Sequence, residues 1–68
     1  MLTNGNLIEG LQDEIERNKE LLLEYYKIPT GGFAAIIIRQ RIKEAEEAIA
    51  EGDLLKMISC YKKLRELE

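Results

Sequence analysis

Two short breaks divide this chain of 68 residues into three amphipathic segments, and they constrain its fold more than any other feature. The first break is Pro29-Thr30-Gly31-Gly32 and the second is Gly52-Asp53. Proline disfavours helix in the residue before it, glycine is common just after a helix, and aspartate is a good N-cap. The sequence therefore predicts one all-α domain over residues 1–68. Its expected elements are helix 1 at about 6–28, a turn at 29–32, helix 2 at about 33–51 and helix 3 at about 53–67.

Apolar residues recur at helical spacing in all three segments. In the first segment a 3-4-3-4-3 spacing, typical of a heptad seam, links Ile8, Leu11, Ile15, Asn18, Leu22 and Tyr25. The stripes of the second and third segments contain Ala35, Ile38, Ile42, Ala45 and Ile49, then Leu54, Met57, Ile58, Tyr61 and Leu64. Because the second break is so short, helices 2 and 3 are expected to form a hairpin that packs along the long helix 1.

Several polar and glycine positions carry more specific expectations. Asn6 is a candidate N-cap of helix 1. Asn18 either fixes the register of a helix pair or lies at a wet edge of the seam. The Thr30-Gly31-Gly32 turn is expected to need a positive φ. The alternative is that its exposed amides, just before a helix, hold a phosphate or carboxylate. Gly52 is expected to end helix 2 in the left-handed conformation, and Asp53 to cap helix 3.

Composition excludes several classes of chemistry. The chain has no histidine and one cysteine, Cys60, so neither a zinc site nor an internal disulfide is expected. No nucleophile has a visible base beside it, and we therefore predict no catalytic residue, no cofactor and no enzymatic activity. No apolar run approaches the roughly 20 residues that span a bilayer, and the N-terminal residues do not resemble a signal peptide. The expected location is the reducing cytoplasm.

The charge pattern leaves two alternatives for the middle of the chain. Net charge is −3, which argues against general binding of nucleic acid. Arg39, Arg41 and Lys43 nevertheless form a basic cluster that a small dimeric DNA-binding protein could use. The preferred interpretation is a solvated, salt-bridged face, because acidic residues follow immediately at 44, 46 and 47.

A chain this short is expected to need association for stability. Domains of about 60 residues bury only about 60% of the surface of the unfolded chain, and small ones usually depend on disulfides, metals or partners. With the first two excluded, we predict a homo-oligomer, a dimer or higher, or association with another protein. The candidate interface comprises Ile8, Leu11, Ile15, Leu22, Tyr25, Phe33, Ile36 and Ile37.

The segment from about residue 18 to residue 67 resembles a group of short, uncharacterised bacterial proteins, some of them carried in prophages. The likeness depends most on Gly31-Gly32-Phe33-Ala34, on Gly52-Asp53, and on the Met57 and Tyr61 that follow. The group has no established activity. The resemblance therefore implies a common fold unit and a phage context, and it implies no mechanism.

Overall fold

The computed structural model describes the backbone of residues 4–66 and the side chains of residues 6–66. It contains three helices, α1 (Asn4–Tyr26), α2 (Gly32–Glu51) and α3 (Leu54–Arg65), and no strand within residues 4–66. Each helix packs against both others in a bundle of 40 × 18 × 16 Å. The predicted all-α fold, a long first helix with a helical hairpin beside it, is confirmed.

The ends of α1 differ from the prediction. The helix begins at Asn4, so Asn6 lies inside it and the predicted N-cap at Asn6 is wrong. It ends at Tyr26 rather than near residue 28. The amides of Lys27 and Ile28 donate to carbonyls three residues back, both at 3.1 Å, which tightens the chain before Pro29. Residues 1–3 and 67–68 of the predicted domain, including the predicted end of helix 3 at residue 67, lie outside the described residues.

The junction between α2 and α3 is built as predicted. Gly52 has φ 67°, in the left-handed region. Its amide donates to the Ile49 carbonyl at 3.1 Å, and the Asp53 amide donates to the Ala48 carbonyl at 3.2 Å. This is the Schellman pattern at a helix end. The Asp53 carboxylate accepts from the Lys56 amide at 3.1 Å and so caps α3.

Removing either feature of this junction should destabilise the bundle. We expect Gly52→Ala to cost about 1 kcal/mol, because a Cβ disfavours the left-handed conformation. Asp53→Ala should cost about 0.5–2 kcal/mol through the lost cap. Urea denaturation followed by circular dichroism at 222 nm measures both changes. An unchanged midpoint in both variants would mean that the capped junction adds nothing to stability.

The turn between α1 and α2 does not have the predicted backbone conformation. Gly31 has φ −86°, and among the described residues Gly52 alone has a positive φ. The predicted left-handed turn at this break is therefore wrong. A Cβ on Gly31 would collide with the Tyr25 carbonyl oxygen and lie 3.2 Å from the Ile28 Cβ. Glycine is needed here because the turn folds back onto the end of α1.

The core lies on the shared axis of the three helices. Its buried members are Leu7, Leu11, Ile15, Ala35, Ile38, Ile42, Ala45, Ala48, Met57, Cys60 and Leu64. The α1 stripe is rotated slightly from the predicted one, so that Leu7 is buried and Ile8 only partly so. In α3 the predicted Leu54 and Ile58 remain exposed and Cys60 is buried instead.

A polar contact holds the end of α3 against α1. Asn18 is 0% exposed, and its Nδ2 donates to the Glu14 carbonyl at 2.8 Å and to the Leu64 carbonyl at 3.3 Å. Arg17 Nη2 donates to the same Leu64 carbonyl at 3.0 Å and pairs with Glu14 Oε1 at 2.6 Å. The wet-edge alternative for Asn18 is therefore wrong. Asn18 helps to satisfy a carbonyl that the helix end leaves open, although its own Oδ1 has no hydrogen-bond partner.

Candidate interaction surfaces

Large apolar side chains remain exposed at two places among the described residues. The first group, which we call the hairpin end, surrounds the connection between α1 and α2 and comprises Leu23, Tyr26, Ile28, Phe33, Ile36 and Ile37. The second, the α3 start, comprises Leu54, Leu55 and Ile58. Phe33 is 77% exposed, which leaves about 150 Å² of this aromatic side chain in water. Clusters of this kind on a small protein mark contact surfaces more often than isolated apolar residues do.

The hairpin end is exposed because α3 is short. At 1.5 Å per residue, the 12 residues of α3 extend about 18 Å, against about 34 Å for the 23 residues of α1. Leu64, near the end of α3, already contacts Arg17 and Asn18. The last two turns of α1 and the first turns of α2 therefore extend beyond α3, and only two helices are available to bury their apolar residues.

The structure divides the predicted interface into core and surface. Leu11 and Ile15 are buried in the chain's own core, which corrects their assignment to an interface. Ile8, Leu22 and Tyr25 are partly buried against that core. The three from the start of α2 are exposed: Phe33, Ile36 and Ile37.

The other members of the hairpin end, Leu23, Tyr26 and Ile28, were not predicted to belong to an interface. The available signal was their position just before Pro29, off the heptad seam and near a helix end. Apolar residues at such places are left without helical neighbours, since the chain turns away immediately afterwards.

An open groove of about 510 Å³ runs between α1 and α2. Its apolar lining consists of Leu22, Ile36 and Ile42. Its polar lining consists of three cations, Lys19, Arg39 and Lys43, together with Gln40 and Glu46. Lys19 is paired with Glu46 at 3.3 Å and approaches Glu16 at 3.8 Å. No such ion pair forms between Arg39 or Lys43 and any carboxylate within residues 4–66. Two unpaired cations therefore face solvent on this side of α2.

The basic cluster is not assembled on one face. Arg39 and Lys43 line the groove between α1 and α2, whereas Arg41 lies about 200° round the helix from Arg39. Arg41 is half-buried and close enough to α3 for its charge to act on Cys60. The arrangement that a recognition helix needs is thus split between two sides of α2.

The thiol of Cys60 is free and buried in the core. Burial raises the pKa of the Cys60 thiol and Glu44 raises it further, while Lys63, Lys56 and Arg41 act in the opposite direction. The thiol is therefore protonated at neutral pH, as expected for a structural cysteine. No group of three potential metal-binding side chains occurs in this part of the chain. Among the same residues, no helix combines the length and apolar character needed to cross a membrane.

Comparison with known proteins finds no matching family model, no matching curated protein and no matching solved structure. The resemblance to short bacterial proteins thus stays a prediction, and the surfaces have to be interpreted from their chemistry.

Proposed function

We propose that this chain is a small, non-enzymatic, cytoplasmic helical protein that acts through protein–protein contacts, first of all with copies of itself. The hairpin end is the observation that carries the proposal. Phe33 and Ile36 are 77% and 64% exposed at the start of α2, and Leu23 and Tyr26 are exposed on α1 nearby. Burying this cluster against a partner would gain about 25 cal/mol for each Å² removed from water.

DNA binding is the alternative, and no observation favours it. It would require Arg39, Arg41 and Lys43 on one accessible face, whereas Arg41 is turned towards α3. The net charge of −3 also weakens attraction to phosphates.

The proposal predicts that the chain is a dimer or larger at tens of micromolar. Phe33→Asp should shift it towards monomer, because a charge would replace the most exposed apolar side chain of the hairpin end. Light scattering coupled to size exclusion measures the mass, with Glu9→Ser, an exposed position at the other end of α1, as control. A monomeric mass for the unmodified chain, with thermal unfolding independent of concentration, would overturn the proposal.

A further inference from the structure

One whole face of α2 points to solvent and has the spacing of a helix-pairing seam. Its members follow a 3-4-3-4-3 spacing: Phe33, Ile36, Gln40, Lys43, Glu47 and Ala50. All of them are exposed, and Ile36, Gln40 and Lys43 also border the open groove beside α1. We call this face the outer stripe of α2.

The charges of α2 are divided along its length. The three cations, Arg39, Arg41 and Lys43, all precede the four carboxylates, Glu44, Glu46, Glu47 and Glu51. The first turn contains no acid and the last turn no base. This order is the reverse of the one that the helix dipole favours. Within one helix the pattern places opposite charges side by side only where the two blocks meet, as at Lys43 and Glu47. Along its whole length it is complementary to a second copy running in the opposite direction.

The apolar residues at the two ends of α2 show the same complementarity. Phe33 and Ile36 are exposed at its start, and Leu54 and Leu55 are exposed just after its end. In an antiparallel pair, the start of one helix lies beside the end of the other. Each apolar pair would then meet the other pair at both ends of the contact.

We propose, resting on the self-association proposed above, that two copies pair along the outer stripes of α2 in antiparallel orientation about a two-fold axis. The register that satisfies both charge and apolar patterns puts Lys43 beside the partner's Glu47 and Arg39 beside the partner's Glu51. It also brings Ile36 level with the partner's Leu54. The two-fold axis repeats each contact, so the interface is self-complementary.

The charges needed for this pairing are accessible. Lys43 and Glu47 form no ion pair within residues 4–66, and both are exposed. Glu51 approaches Lys56 at 3.2 Å, a contact between exposed groups that leaves its carboxylate open to a second cation. Because the middle of the seam is polar and exposed to ions, the association should weaken as salt concentration rises.

Charge reversal at two positions tests the pairing. In K43E and in E47K, each homodimer would contain two like-charge contacts, and we expect self-association at least about tenfold weaker than in the unmodified chain. An equimolar mixture of the two variants should regain the lost affinity, because every such contact is again between opposite charges. The double variant K43E/E47K should regain it for the same reason. Sedimentation equilibrium gives the affinities, and circular dichroism at 222 nm checks that each variant stays helical.

The outcomes separate this inference from the proposed function. Recovery in both the mixture and the double variant supports antiparallel α2 pairing. Single variants that associate as well as the unmodified chain, or a mixture that fails to recover, overturn that pairing and leave self-association through the hairpin end intact. A monomeric unmodified chain overturns both.

Discussion

Asn18→Asp is expected to unfold most of the protein at neutral pH. The side chain at this position is fully buried, and its amide donates to the carbonyls of Glu14 and Leu64. An aspartate would replace the donor by a charged acceptor facing two acceptors. An unpaired buried charge costs about 3–5 kcal/mol. Since a domain of this size rarely has more than about 3–5 kcal/mol in total, we expect the helical circular dichroism signal at 222 nm to collapse.

Asn18→Leu is the matched control. We expect it to raise the free energy of unfolding or to leave it unchanged. Asn18 Oδ1 is buried without a partner, and leucine removes that unsatisfied oxygen while keeping the same branched shape. The Leu64 carbonyl keeps Arg17 as a donor. We expect this variant to be at least as stable as the unmodified chain in urea denaturation. If the aspartate variant retained its full stability, Asn18 would have to be accessible to water in solution.

Gly31→Ala should have the second largest effect, a loss of about 2–3 kcal/mol in the free energy of unfolding. The added Cβ would collide with the Tyr25 carbonyl oxygen, which belongs to the backbone and cannot move aside without breaking the end of α1. Overpacking of this kind typically costs about 1–3 kcal/mol, and a rigid backbone neighbour favours the upper part of that range. The urea midpoint measures the loss.

Gly32→Ala provides the control one residue later. A Cβ there would have no atom within 4 Å, and Gly32 is the first residue of α2. We expect a neutral or slightly stabilising change, because alanine restricts the unfolded chain more than glycine does. Equal losses in the two variants would mean that the close approach at Gly31 does not determine the turn.

Local rules were enough to predict the elements and one of the two connections. Gly52 and Asp53 occupy the end of one helix and the start of the next, and each acts through bonds to residues at most five positions away. The 3-4 spacing likewise identified most of the core. Ile38, Ile42 and Ala45 are buried as the stripe predicted.

The remaining features depend on distances that spacing does not encode. Gly31 has an ordinary φ, so glycine is needed there only because the Tyr25 carbonyl at the end of α1 lies too close for a Cβ. The burial of Asn18 follows from where α3 ends, at Leu64, and no pattern in α1 contains that information. Only part of the candidate surface was predicted correctly, because spacing alone does not show which apolar stripe the chain buries itself. Phe33 and Ile36 lie off the stripe, but Leu11 and Ile15 lie on a seam that the chain itself fills.

The brevity of the two connections has a consequence for how this chain folds. Only residues 27–31 separate α1 from α2, and only Gly52 and Asp53 separate α2 from α3. Closing such small loops costs little chain entropy, and helical bundles dominated by local contacts fold in about microseconds to milliseconds. Productive docking of two chains at tens of micromolar takes about milliseconds to seconds, so the three helices should assemble before a stable dimer forms. Association is then an encounter between finished monomers, and its rate can respond to charge without any change in folding.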